Sequence, residues 1–142
     1  MSGAVETGAG LRFAGYAAIF GRVDKGGDVI APGAFAASLA RRAGAALPLL
    51  WQHAPGQRIG SIDLAREDTR GLRVIGRIED AGATARKAAA LLRAGRLDGL
   101  SFGYRVVTAQ GERPRRLEAL ELVEVSLVTF PMQPLARVHA VV

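Results

Sequence analysis

Residues 100–130 read LSFGYRVVTAQGERPRRLEALELVEVSLVTF. Two runs rich in β-favouring side chains, Leu100 to Thr108 and Leu117 to Phe130, flank AQGERPRR, a polar stretch carrying the Gly and Pro that punctuate turns. Strand, turn, strand is the direct reading, and it predicts an antiparallel hairpin. If the connecting loop is symmetric about residue 112, Ser101 falls opposite Glu124, with both side chains on one face of the sheet. A slip of one residue would reverse the faces.

Working outward, LRFAGYAAIF at 11–20 predicts a strand interrupted at Gly15, and Leu47 to Gln52 and Arg58 to Leu64 predict short strands about a turn at Ala54-Pro55-Gly56. Gly71 to Ile78 is a further strand, with Leu72, Val74 and Ile78 on one parity. Two segments have helical character. From Pro32, which suits a first helical turn, to about Arg42, Phe35 and Leu39 stand at an i, i+4 spacing; Thr84 to Ala94 is rich in Ala and Leu and is closed by Gly95. Between the first strand and first helix, GRVDKGGDVIAPGAF reads as a turn-rich loop. The predicted class is therefore α+β, mainly β: a single-domain, β-barrel-like sheet with two or more flanking helices. The domain spans 11–138, with a flexible segment at 1–10 and a tail at 139–142.

Composition agrees. The chain has 142 residues, the size of one domain, and its 49% apolar against 23% charged residues can fill a core. Cysteine is absent, which removes disulfides, thiol nucleophiles and thiolate metal sites together. No apolar run approaches the roughly 18 residues of a membrane span, and MSGAVETGAG is unlike a secretory leader, so a soluble, unexported protein is expected. Of the 19 basic residues behind the net charge of +6, 17 are arginine. They are spread along the chain, and a basic patch more than net charge alone is the footprint of nucleic-acid binding, so a nucleic-acid contact is open but is not expected to be the primary one.

The chemistry available is narrow. HExxH, Walker and GxGxxG signatures are missing, which leaves no hardware for zinc hydrolysis, nucleotide hydrolysis or dinucleotide redox chemistry, and neither cofactor nor metal is expected. Serine, histidine and carboxylate remain. A serine hydroxyl attacks only when an imidazole takes its proton, and the imidazole needs a third group to fix its tautomer. His53 ends LPLLWQH before the APG turn, where it either faces a cleft or simply caps a strand. Ser101 lies in Gly99-Leu100-Ser101-Phe102-Gly103, whose glycines permit close backbone approach. Glu124 is the one charge in LVEVSLVTF, and because an unpaired buried carboxylate is costly it calls for a partner. The same five residues around Ser101 fit the G-x-S-x-G elbow, with Ser101, Glu124 and His139 in hydrolase order. That elbow must turn from strand into helix, whereas YRVV continues as strand, and His139 reads as a residue of the terminal tail.

Four blocks, GYAAIFGRVDKGGDVIAPGAF at 15–35, LPLLWQH at 47–53, LLRAGRLDGLSFGYRV at 91–106 and LVEVSLVTFPMQPLARV at 122–138, together resemble the prohead maturation proteases of tailed bacteriophages and related gene transfer agents. These are similar in fold to the herpesvirus assembly proteases. The resemblance implies a serine endopeptidase in the bacterial cytoplasm, inside the assembling procapsid, cleaving scaffold or the N-terminal scaffold-like segment of the major capsid protein. It implies His53, Ser101 and Glu124 as catalytic residues and no cofactor, with dimerisation to a homodimer or confinement in the shell as the alternative means of control. The competing expectations are a catalytically inactive scaffold-binding assembly protein and a small esterase built on Ser101 and His139.

Overall fold

Among the described residues, eight strands and two helices follow one another as β1 (Leu11–Ile19), β2 (Asp28–Ile30), α1 (Ala36–Arg42), β3 (Leu47–Trp51), β4 (Ala54–Glu67), β5 (Gly71–Ile78), α2 (Ala83–Arg93), β6 (Gly99–Gln110), β7 (Arg115–Val128) and β8 (Val138–Val141). The computed structural model describes residues 10–42, 45–80 and 82–142, so the expected flexible segment lies, apart from Gly10, outside the described residues. Strand accounts for 54% and helix for 14%, which makes the fold α+β and mainly β, as the sequence predicts.

The strands form one curled sheet, a half-barrel, in the order β2-β7-β3-β4-β5-β1-β8, with β6 also paired to β7. Strand β7 organises it. Along one edge β7 is antiparallel to β6; the other edge is shared by β2, parallel at residues 115–117, and β3, parallel at residues 125–127. The interval between β2 and β3 would leave buried backbone donors without partners. It is covered instead by α1 and the segment leading into it: Leu120 N–H donates to the Ala34 carbonyl at 2.9 Å and Leu122 N–H to Ser38 Oγ at 2.9 Å. On the far side, Leu100 N–H reaches the Ala136 carbonyl and Tyr16 N–H the Arg137 carbonyl, so residues 136–138 stitch β6 to β1 and curl the sheet towards closure.

Alternation fills the interior. Leu72, Val74 and Ile78 of β5 are buried together, as their parity predicts, beside Phe13, Ile62 and Leu100. The buried residues of α2, Ala85, Ala88 and Leu92, form a single stripe, and Gly95, at φ 69°, ends the helix while Arg96 N–H closes onto the Leu91 carbonyl. Phe35 is fully buried, but the α1 helix begins only at Ala36, after turns through 32–35, and its most buried residue is Ser38, with Leu39 only partly covered.

Three local expectations need correction. Residues 139–142 were expected as a tail, yet residues as far as Val141 form β8 against β1, and the Val142 N–H also donates to the Arg12 carbonyl. A short strand, β2, lies inside the turn-rich loop, held by its ladder to β7 rather than by its own propensity. The β3–β4 connection comes earlier than Ala54-Pro55-Gly56: Trp51 pairs with Ala54, leaving Gln52 and His53 as a two-residue turn, and Pro55, Gly56 and Gln57 bulge out before Leu50 pairs with Arg58. Proline and glycine mark an irregularity in both readings, but the reversal itself is made by other residues.

Candidate active site

His53 stands in the turn, not at a strand end. Both central residues have positive φ, 52° at Gln52 and 61° at His53. That is the backbone sense of a type I′ turn, whose twist matches its flanking strands and which normally takes Asn-Gly. For residues with a Cβ this conformation costs roughly 1–2 kcal/mol each. Bonds to β7 hold it in place: Gln52 N–H continues the β3–β7 ladder to the Leu127 carbonyl at 3.0 Å, and His53 N–H donates to Ser126 Oγ at 3.1 Å.

Glu124 reaches the histidine from β7. Its Oε2 lies 2.7 Å from His53 Nδ1, its Oε1 accepts the Ser126 hydroxyl at 2.7 Å, and the residue is 8% exposed. Gly103, directly opposite on β6, makes room for it: a methyl group there would meet Glu124 Cδ at 2.9 Å and Cγ at 3.0 Å, with a carboxylate oxygen closer still. The hydrogen bond to Glu124 raises the His53 pKa above its ordinary 6.5, partial burial opposes the rise, and the carboxylate charge adds to it. With Nδ1 committed to the carboxylate, Nε2 is the nitrogen left to act as base.

Ser101 is opposite Ser126, two residues further along β7 than the Glu124 expected from a symmetric loop. The turn is centred nearer Arg113, and register shifts between 103 and 109 absorb the remainder. An offset of two preserves parity, so Ser101, Glu124 and Ser126 still share one face. Ser101 and His53 both line a cavity of about 100 Å³ whose walls include Leu100, Phe102 and Met132, and whose rim carries Asp24. The imidazole also borders a groove of about 490 Å³ containing Glu124, Gly103, Arg58 and Arg105. It therefore stands between the carboxylate and the serine cavity. No hydrogen bond joins Ser101 Oγ to His53 in this structure; such contacts commonly tighten only around a substrate.

Sequence reasoning passed over Ser126, which is fully buried and touches both His53 and Glu124. The signal was present, since Glu124 and Ser126 are spaced as same-face neighbours in a strand. It also passed over Gln133, whose carboxamide accepts from Ile19 N–H and donates to the Ile19 carbonyl, both at 2.8 Å, fixing the loop that walls the serine cavity. Beneath the Asp24 loop, Arg115 forms a bidentate pair with Asp28 at 2.9 Å and 2.9 Å and holds that carboxyl below its usual range. His139 lies elsewhere: exposed on β8, it packs its ring against Tyr16 at 5.9 Å and lines neither the cavity nor the groove. Nor is there an elbow at Ser101, because β6 runs on as strand to Gln110. Among the described residues no three His, Asp or Glu side chains converge as metal ligands.

The family model described as caudovirus prohead serine protease matches residues 3–142. The prohead protease of Enterobacteria phage HK97 is 31% identical over 135 residues, a match covering 90% of this chain and 59% of that protein, so this chain spans about three-fifths of the curated relative's length. Among solved structures, the bacteriophage T4 capsid assembly protease, gp21, superposes with a TM-score of 0.67 at 18% identity, covering 84% of this chain and 81% of that one. KSHV protease in complex with a hexapeptide phosphonate inhibitor gives 0.58 at 15% identity, covering 94% and 65% respectively. Varicella-zoster virus protease gives 0.55 at 17%, covering 91% and 63%. At these identities the structural likenesses speak to the fold, which is the herpesvirus-protease-like fold that the sequence implies.

Proposed function

Because the chain belongs to the caudovirus prohead serine protease family, we propose that it is the serine endopeptidase of head maturation in a phage or gene transfer agent. It would cleave scaffold, or the N-terminal scaffold-like segment of the major capsid protein, inside the assembling procapsid in the bacterial cytoplasm. Ser101 is the nucleophile, His53 the general base and Glu124 the residue that orients and charges-balances the imidazole. The observation that carries this reading is the 2.7 Å bond from Glu124 to His53 Nδ1, made by a ring that also borders the cavity of Ser101.

In the first step His53 Nε2 takes the Ser101 proton as Oγ attacks the scissile carbonyl. Glu124, largely withdrawn from water, stabilises the resulting imidazolium, and Ser126 keeps the carboxylate from rotating away. The imidazolium then protonates the leaving amine, an acyl-enzyme forms on Oγ, and water activated by the same nitrogen releases the second product. A polypeptide substrate suits the surroundings better than a small ester. Past Leu100, β6 has no strand partner on the edge away from β7 among the described residues, so free backbone groups run on from the nucleophile, as an added substrate strand requires.

The test is co-expression with the capsid precursor. Ser101→Ala, folded to the same melting temperature, should leave the precursor intact while wild type cleaves it. Cleavage by the variant would overturn the nucleophile assignment, and an uncleaved precursor bound by wild type would favour a non-catalytic assembly protein. A homodimer would be the simplest means of control, and sedimentation before and after activation measures it.

A further inference from the structure

The turn carrying His53 is built from unsuitable residues. A two-residue turn with positive φ at both positions is met without strain by Asn-Gly, but position 53 must be histidine for the chemistry, and position 52 is glutamine. Left to itself, such a turn would relax, and a change of φ at residue 53 would swing the imidazole away from both Glu124 and Ser101.

What opposes relaxation is a set of bonds that all lead to β7 or the residue just after it. The Gln52 carboxamide forms a reciprocal pair with Thr129: Nε2 donates to Thr129 Oγ1 at 2.6 Å, and Oε1 accepts from Thr129 N–H at 3.1 Å. The Gln52 N–H donates to the Leu127 carbonyl at 3.0 Å. The Ser126 hydroxyl accepts the His53 N–H at 3.1 Å while donating to Glu124 Oε1 at 2.7 Å. The backbone that bears the imidazole and the carboxylate that binds it are thus referenced to one strand, within six residues of each other.

We propose that Gln52, Ser126 and Thr129 are positioning residues that lock a strained turn onto β7 and so hold the His53 ring in its catalytic orientation. Gln52 fixes the turn from its outer side through its carboxamide. Ser126 fixes it from inside and transmits the position of Glu124 to the histidine backbone. The inference rests on the proposed role of His53, and it assigns to the glutamine of LLWQH and the serine of VEVS a function separate from contact with substrate.

The test separates positioning from mere stability. Gln52→Gly removes the strain at position 52 together with the carboxamide clamp, so the turn forms at lower cost but is no longer held from its outer side. Its melting temperature should equal or exceed that of wild type, while kcat on purified capsid precursor falls on the order of 10- to 100-fold with KM changed less than about twofold. Thr129→Val, which removes the hydroxyl and keeps the shape, should lose kcat in the same way, and Thr129→Ser should restore it. Ser126→Ala should lose kcat as well. Nuclear magnetic resonance titration of His53 supplies a readout independent of turnover: in Gln52→Gly its pKa should fall back towards 6.5, because the Glu124 contact is populated less. Wild-type kcat and an unchanged His53 titration in Gln52→Gly would overturn the proposal, as would losses in kcat that merely track the folded fraction. If wild type itself fails to cleave, the proposed function falls, and the titration still decides whether the turn is held as argued.

Discussion

Gly103→Ala places a methyl group where Glu124 now lies. The added carbon would sit 2.9 Å from Glu124 Cδ and 3.0 Å from Cγ, well inside van der Waals contact, and both contacts are to the carboxylate arm. The backbone of β6 is paired with β7 on both sides of this point, Phe102 with Val125 before it and Tyr104 with Leu122 after it, so the side chain has to yield. When it does, the 2.7 Å bonds to His53 Nδ1 and Ser126 Oγ are lost together. Losing the group that orients a catalytic histidine lowers kcat by roughly 10²–10⁴-fold. The contact with Glu124 is also what raises His53 above 6.5, so the acid limb of kcat/KM should move to lower pH, each unit representing about 1.4 kcal/mol of lost interaction. Overpacking alone would cost about 1–3 kcal/mol of stability. The assay is a pH–rate profile on purified capsid precursor, with a thermal melt to establish that the variant is folded. A folded Gly103→Ala enzyme with wild-type kcat and an unshifted acid limb would refute the role given to Glu124.

Other outcomes are equally specific. His53→Ala should abolish cleavage and His139→Ala should leave it unchanged, a pair of assays whose reversal would revive the esterase reading. Ser38→Ala strips the buried Leu122 N–H of its acceptor and should lower stability by about 1–3 kcal/mol in chemical denaturation, with activity per folded molecule retained. The His53–Glu124 pair also links stability to pH. Since the folded pKa is raised, its contribution is fully present below about 6.5 and fades as pH rises through the higher folded value, so Glu124→Gln should flatten stability in that window, as read from melts across pH.

Much of the fold was legible because alternation and punctuation are local signals. Strand β5 was bounded by Gly71 and Ile78 in both readings, and α2 differed by one residue at each end. What sequence could not supply was created by pairing. Strands β2 and β8 are too short to announce themselves and exist as additions to β7 and β1. The reversal at Gln52-His53 was hidden because neither residue favours positive φ, and the bonds that stabilise it come from residues more than 70 positions away. At the site, parity put Ser101 and Glu124 on one face even though the register was displaced by two, since a displacement of two leaves faces unchanged. The carboxylate requirement of a buried Glu124 pointed to a partner, and the structure supplies His53. Ser126 and Gly103 went unread because their roles depend on what stands across the sheet.

If Ser101 is a nucleophile activated by His53, treating the protein with a peptidyl phosphonate and mapping the adduct by mass spectrometry will reveal it. One covalent adduct is expected, on Ser101, absent in Ser101→Ala and strongly slowed in His53→Ala. An adduct on any other residue, or equal labelling of the His53→Ala protein, would contradict it.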